Sequence, residues 1–348
     1  MISDMKKFIL FLPELTVFGL GFALFKFLIR GRKPLDPQKT WDLITKPCVF
    51  RKWFEDHYPP KMFRKFIISC YRHTLMYKSH SYGISKHYDI SNEFYKLFLD
   101  KKYMFYSCAD FIKSTESLEE AQENKANYLV NLIDPRPGEK ILDLGCGWGG
   151  MLQKIYEVTG DKENLIGYTL SEEQKKYISE KYDFRVELND FITTKYQENY
   201  FDKIFSIGSW EHVRPKDLLS LSQKLRKAIK SNGRIVHHFF CQIEDVPHSN
   251  ALAGGFDIFP GSELSSLRNH LNIFEKAGFR IVHHSIHDYR PTLRAWFERL
   301  AENKNRAIEL VGLKNYNKYL CFFAGIWKLF DDHNLLVMRF VLEPDSTE

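Results

Sequence analysis

Apolar and polar positions alternate with two different periods along this chain. Between Lys61 and Lys78, Phe63, Phe66, Ile67, Cys70, Tyr71 and Leu75 recur at helical spacing, while Lys61, Arg64, Lys65, Arg72 and Lys78 supply a basic face with no acid among them. The pattern predicts an amphipathic helix. From Ile141 onward short apolar runs take over, and Ile141–Leu144, Asn164–Leu170, Phe184–Asp190, Phe201–Gly208 and Gly233–Phe240 read as strands with helical patterns between them. Phe279–Tyr289 and Leu335–Leu342 read as two more strands, flanking a long helical region from Leu293. Ser117-Leu-Glu-Glu120 offers a capping box for a helix running to about Ile133. Strands alternating with helices predict an α/β sheet covered on both faces.

The first residues follow neither pattern. Phe8 to Ile29 is an apolar run broken by Pro13, Glu14 and Lys26, close to the ~20 residues that cross a bilayer. Lys6 and Lys7 precede it, Arg30, Arg32 and Lys33 follow it, and no small-residue cleavage site marks a removed leader. It reads as a membrane anchor or interfacial helix, or as a segment packed on the protein's own surface. In the wake of an anchor, the basic face of Lys61–Lys78 suits anionic headgroups, at about 1 kcal/mol per basic residue. The expected organisation is therefore an anchor over 1–40, a helical substrate or cap region over 41–125 and an α/β domain over 126–348. Within the last, 242–275, where Gly254, Gly255, Pro260 and Gly261 interrupt the pattern, reads as a lid or an ordinary surface loop.

Composition narrows this picture little. A chain of 348 residues that is 44% hydrophobic can bury a large core, and 15% aromatics, with 29 Phe and 18 Tyr, suit either a Phe-rich core or a large apolar pocket. The six cysteines are scattered singly, so they read as reduced thiols and not as a disulfide framework or metal site. A net charge of +6 gives no argument for nucleic acid.

Candidate chemistry gathers at Ile141-Leu-Asp-Leu-Gly-Cys-Gly-Trp-Gly-Gly150, an apolar run entering a glycine turn from which a helical pattern leaves. Gly145, Gly147 and Gly150 satisfy the loose pattern of dinucleotide-binding folds, which also wants an acid ending the next strand, about 20 residues on. Here that place reads Gly167-Tyr-Thr-Leu-Ser171, without an acid. With Asp143 just before the first glycine, the stretch resembles the S-adenosylmethionine (SAM) loop of methyltransferases.

The resemblance sharpens upstream. His87-Tyr-Asp, Phe94-Tyr-x-x-Phe-Leu-Asp100, Tyr106-Ser-Cys-Ala109 and Leu118-Glu-Glu-Ala-Gln-x-x-Lys125, followed by the glycine loop, resemble the cyclopropane-fatty-acid synthase and mycolic-acid cyclopropane synthase family from about His87 onward. The resemblance implies a Rossmann-like class I SAM methyltransferase fold, a seven-stranded mixed sheet with an antiparallel last strand, here with an N-terminal helical region. It implies SAM contacts at Tyr106, Ser107, Gly145, Gly147, Thr169, Leu170 and Gln174. Asp143 is placed for a ribose, Asp190 for the adenine amino group and Phe191 for the adenine ring. It further implies bicarbonate as a base, held by Cys108, Glu211, His238 and Tyr289, around an acyl double bond that takes a methylene group. Taken singly, these four read as a buried thiol, a helix-start charge, a satisfied strand residue and a core phenol.

Several positions depart from the family's pattern. Phe239-Phe240 follow the site histidine where relatives carry small or β-branched residues, Arg214 replaces a glycine and Asp110 a tyrosine. Phe323 stands where some relatives carry a late-helix cysteine, with Cys321 two places early. The expected acceptor is an unsaturated phospholipid reached from the cytoplasmic membrane surface through the N-terminal segment. Methyl branching of the acyl chain, amine N-methylation and a catalytically silent lipid-binding relative are the alternatives.

Overall fold

The computed structural model describes residues 31–46, 91–243 and 263–345, and within them seven strands form one sheet. These are β1 (Ile141–Leu144), β2 (Leu165–Thr169), β3 (Arg185–Leu188), β4 (Phe201–Ile207), β5 (Ile229–Gln242), β6 (Phe279–His287) and β7 (Leu335–Pro344), in the spatial order β3-β2-β1-β4-β5-β7-β6. β1 to β5 are parallel, and β7 runs antiparallel to both β5 and β6. This is the mixed, seven-stranded Rossmann-like α/β sheet expected, with the antiparallel strand in its place. β1 and β2 are buried along their whole length, as continuous apolar runs in a parallel sheet require.

The helices are α1 (Pro37–Thr45), α2 (Asn92–Tyr95), α3 (Leu118–Ile133), α4 (Gly150–Thr159), α5 (Glu172–Lys181), α6 (Pro215–Ala228), α7 (Leu267–Lys276), α8 (Arg290–Glu302) and α9 (Lys304–Asp331). α3 starts with the capping box read from the sequence, Glu120 N–H donating to Ser117 Oγ (3.2 Å) and Ser117 N–H to Glu120 Oε2 (2.8 Å). Of the stretch 242–275, residues 244–262 lie outside the described residues, while α7 turns a buried face, His270, Ile273 and Phe274, onto the same core as α6. Phe8–Ile29 and Lys61–Lys78 also lie outside the described residues. No helix among the described residues is long and apolar enough to cross a membrane.

On one side of the sheet α1, α2, α8 and α9 share an aromatic core. Trp41 meets Phe297 (4.8 Å between centroids) and Trp327 (5.2 Å), and Phe98 meets Phe323 (5.3 Å). The long helical region read from Leu293 is broken twice, between α8 and α9 and again inside α9, where Gly312 adopts φ 77° and ψ 158°. That conformation is accessible to glycine almost alone. A Cβ at Gly312 would meet nothing within 4 Å, so its whole cost is backbone strain. Gly312→Ala should lower stability by about 1–3 kcal/mol, read as an earlier midpoint in urea unfolding; an unchanged midpoint would show that α9 can straighten.

Candidate active site

β1 lies between β2 and β4, so the chain winds outward from it in both directions and leaves a crevice beyond the strand ends. A cleft holding about 840 Å³ of empty space, part of it open to solvent, occupies this position. Its walls include the turn after β1 (Asp143 to Gly147), the ends of β2 and β3 (Thr169, Leu170, Gln174, Phe191) and the loop bearing Tyr106 and Ser107. Nine of the ten residues expected at the cofactor thus line one cavity. Asp190 does not line it; its Oδ1 accepts from the Ile192 N–H (2.9 Å), and its neighbour Asn189 faces the cleft.

Close approach shapes the turn. Gly145 has φ 91°, and a Cβ there would lie 2.5 Å from the Cβ of Ser209, whose hydroxyl donates to the carbonyl of Leu144. Asp143 is buried, its Oδ1 has no hydrogen-bond partner, and burial pushes its carboxyl well above the usual carboxylate range. A ligand hydroxyl would supply the missing donor, so a ribose fits. Thr169 Oγ1 donates to Gln174 Oε1 (2.7 Å), which leaves the Gln174 amide hydrogens for another acceptor. These groups fit SAM, a cofactor with a ribose and polar amino-acid groups.

The Tyr106–Ser107 loop is held from behind by residues that sequence reasoning passed over. Asp100 accepts from the N–H groups of Tyr103 (2.7 Å), Met104 (3.1 Å) and Phe105 (2.7 Å), and Met104 takes φ 55°. Gln122 Nε2 donates to the Ser107 carbonyl (3.1 Å). Lys125 Nζ donates to Ser107 Oγ (2.9 Å) and lies 3.6 Å from the centre of the Phe105 ring; burial brings the ammonium down to about 7. Asp100, Gln122 and Lys125 all stood in motifs that carried the resemblance, without an assigned role.

The four residues expected at the base lie on segments that meet behind this cleft. Cys108 follows Ser107, and its thiol, pushed up to about 12 by burial, points to the carbonyls of Ala109 and Asp288 (both 3.5 Å). Asp288 precedes Tyr289. The β4 turn carries Glu211, and Gly208 N–H at its start donates to the His238 carbonyl of β5 (2.8 Å). A Cβ on Gly208 would lie 3.1 Å from the Ser107 Cβ and 3.9 Å from Glu211 Oε1. Glu211 Oε2 is buried without a hydrogen-bond partner, and burial pushes the carboxyl up to about 8. Burial, with Arg339, Lys125 and His287 nearby, holds His238 well below the ordinary imidazole range, so it is neutral.

The pleat of β5 separates residues that are adjacent in sequence. His237 stacks on Trp210 (4.1 Å), and Phe239 packs on His270 (4.6 Å) in the core on one face. Phe240 emerges on the other face with His238, 6.4 Å from the Tyr289 ring and 6.0 Å from Phe330. Only one of the two departing phenylalanines therefore borders the site. From Trp148 in the cleft, rings follow one another through Tyr95 (4.8 Å), Tyr106 (5.5 Å), Trp296 (5.0 Å) and Tyr289 (5.7 Å). Phe323 joins this wall beside Trp296 (5.8 Å), and Cys321 is a buried thiol of α9. Among the described residues no cluster suits a metal ion.

Residues 76–340 match the family described as mycolic acid cyclopropane synthetase. A probable fatty acid methyltransferase of Mycobacterium tuberculosis is 32% identical over 264 residues, which are 73% of this chain and 60% of that relative. Cyclopropane mycolic acid synthase 3 of the same organism is 29% identical over 286 residues, 76% of this chain and 97% of the relative. A crystal structure of a mycolic acid cyclopropane synthase complexed with SAH and CTAB superposes with a TM-score of 0.69 at 26% identity, covering 76% of this chain and 98% of that one.

The buried carboxyl of Glu211 ties stability to pH. Below its ordinary value of 4.5 both folded and unfolded chains are protonated; between 4.5 and about 8 the unfolded chain ionises and the folded one does not. Stability is therefore lost as pH rises through this window. Glu211→Gln should match the wild type near pH 4 and exceed it by a few kcal/mol, at most about 5, at pH 8. Urea unfolding at both pH values measures the gap; a gap that does not widen would mean an ordinary carboxylate.

Proposed function

The chain belongs to the mycolic acid cyclopropane synthetase family, and from that premise we propose that this SAM-dependent methyltransferase adds a methylene group across the double bond of an unsaturated acyl chain carried by a phospholipid. The carrying observation is the wall of rings from Trp148 through Tyr106 and Trp296 to Tyr289, together with a buried, unpartnered carboxyl, Glu211, on the β4 turn that packs against Ser107. An alkene is a weak nucleophile that needs alignment and no deprotonation, so an apolar pocket suits it. Aromatic faces stabilise the positive charge that appears on the acyl chain. SAM, when bound, supplies the activated methyl group.

On this reading the chain's residues divide the work. Asp143, Thr169 and Gln174 hold the polar parts of the cofactor, with Gly145 and Gly147 letting it lie against backbone; Asn189 and Phe191 serve the adenine end, in place of the expected Asp190. Tyr106 and Ser107 separate cofactor from acceptor. Transfer would break the methyl–sulfur bond, leaving S-adenosylhomocysteine, as the alkene electron pair bonds the methyl carbon to one alkene carbon and leaves the positive charge on the other; loss of a proton from the added methyl would then give its C–H electron pair to that carbon and close the ring. Cys108, Glu211, His238 and Tyr289 would hold bicarbonate, which supplies a base for that proton. The unpartnered Glu211 Oε2 fits this, because a carboxyl protonated up to about pH 8 can donate to an anion. The basic stretch Lys61–Lys78 and the apolar run Phe8–Ile29 support a membrane-borne acceptor at the cytoplasmic face.

Incubation with methyl-labelled SAM and vesicles of unsaturated phospholipid should give an acyl chain one CH₂ heavier that has lost its double bond, identified by mass spectrometry. Label appearing only in small amines would sink the lipid reading, and a chain needing added reductant would favour methyl branching. Glu211→Gln should cut turnover by about 10²–10⁴-fold with SAM affinity unchanged. Full activity in that variant would remove Glu211 from the chemistry.

A further inference from the structure

His238 does not face the site alone. Its register partner on β7 is Arg339, and Arg339 Nε lies 2.8 Å from His238 Nδ1. Both side chains are buried. A guanidinium only donates, so Nδ1 must be the acceptor, and the single proton of the neutral ring must sit on Nε2. Arg339 is itself fixed. Its Nη1 and Nη2 donate to the two oxygens of Asp110 (2.7 and 2.8 Å), and its plane lies over the Tyr128 ring of α3 (4.9 Å). Asp110 also pairs with His287 Nδ1 on β6 (3.1 Å), and His287 Nε2 meets Ser285 Oγ (2.8 Å). Burial alone would raise the Asp110 carboxyl, but the bonds from His287 and Arg339 hold it at about 2.

We propose that the Asp110–Arg339 pair is a positioning device that locks His238 in the Nε2–H form, so that His238 enters the reaction as a hydrogen-bond donor and never as the group that removes the proton. The inference deepens the proposed function and rests on His238 serving that site. Nδ1 is occupied by the Arg339 donor and Nε2 already carries hydrogen. A second proton would place an imidazolium among the cations facing it, Arg339 from β7 and Lys125 from α3, with His287 of β6 adding no compensating charge and Asp110 already paired. The proton released on ring closure must then go to another base. Asp110 stands where the family's pattern has a tyrosine, so the lock is built from this chain's own departure. Sequence inspection pairs neither residue with His238, since 229 positions separate Asp110 from Arg339.

The test reads the tautomer directly, by long-range ¹H–¹⁵N correlation in the full-length protein labelled at histidine, with His238 identified by its absence in His238→Gln. In the wild type, Nδ1 of His238 should be unprotonated and Nε2 protonated, unchanged between pH 5 and 9. A protonated Nδ1, or a mixture of tautomers, overturns the lock. Replacing both partners together, Asp110→Leu with Arg339→Met, removes the pair without stranding a charge, an exchange that buried ion pairs commonly tolerate. In the double variant His238 should sample both tautomers or titrate, and kcat should fall at least about tenfold with KM for SAM unchanged. A single Nε2–H form persisting in the double variant overturns the assignment. Unimpaired turnover by His238→Gln, with the wild-type tautomer as predicted, overturns instead the place of His238 in the proposed function, so the two failures are distinguishable.

Discussion

The cleft depends on how closely two turns approach each other, the one after β1 and the one after β4. Gly145 and Ser209 meet at a distance that leaves no room for a side-chain carbon, and the Ser209 hydroxyl is fastened to the Leu144 carbonyl. This contact joins the turn that follows Asp143 to the turn that carries Glu211. The residue before Ser209 in the same turn, Gly208, donates its N–H to the carbonyl of His238, so cofactor cleft, carboxyl and imidazole share one backbone frame. Stacking of Trp210 on His237, behind the sheet, holds that frame from the other side.

Around this frame the molecule buries ionisable groups by different physical routes. Asp143 and Glu211 each keep an oxygen without a partner, which disfavours their charged forms and leaves capacity for a ligand. Asp110 and Arg339 keep their charges by neutralising each other in bidentate geometry. Lys125 has a hydroxyl and an aromatic face and no carboxylate bonded to it in the described structure, and its charge is correspondingly easy to lose. Of the two carboxyls left short of a partner, Asp143 lines the cleft and Glu211 stands on the turn after β4.

Local signals carried most of the fold. The capping box set α3 at Leu118–Ile133, and β4 and β6 begin where their apolar runs begin, at Phe201 and Phe279. β5 starts at Ile229, four residues before the expected Gly233, because Ile229 pairs with Phe201 and the polar segment from Lys230 bulges out before pairing resumes at Arg234 opposite Lys203. The cofactor side was legible for a related reason: Tyr106–Ser107, the glycine turn and Thr169–Gln174 are short contiguous strings that each end at one crevice. Lys125 and Arg339 were not legible, since each acts on a loop or ring supplied by another segment; Asp100 acts only three to five residues ahead, but nothing in the string shows that its carboxylate gathers the amides of Tyr103, Met104 and Phe105. Phe239 and Phe240 read alike in sequence, and only the pleat tells that one is core and the other borders the site.

β7 is the last of the seven strands in sequence, yet it lies inside the sheet, wedged between β5 and β6. Parallel pairing of β1 to β5 can therefore assemble as the chain emerges, whereas β6 has no neighbour until β7 has been made. Until then the open edge of β5 leaves the backbone beside His238 unpaired and its ring without Arg339. The cofactor crevice is lined by segments that all precede β5 in sequence, whereas the partner of the His238 ring comes from the last strand to be made, so the order of the chain separates the two.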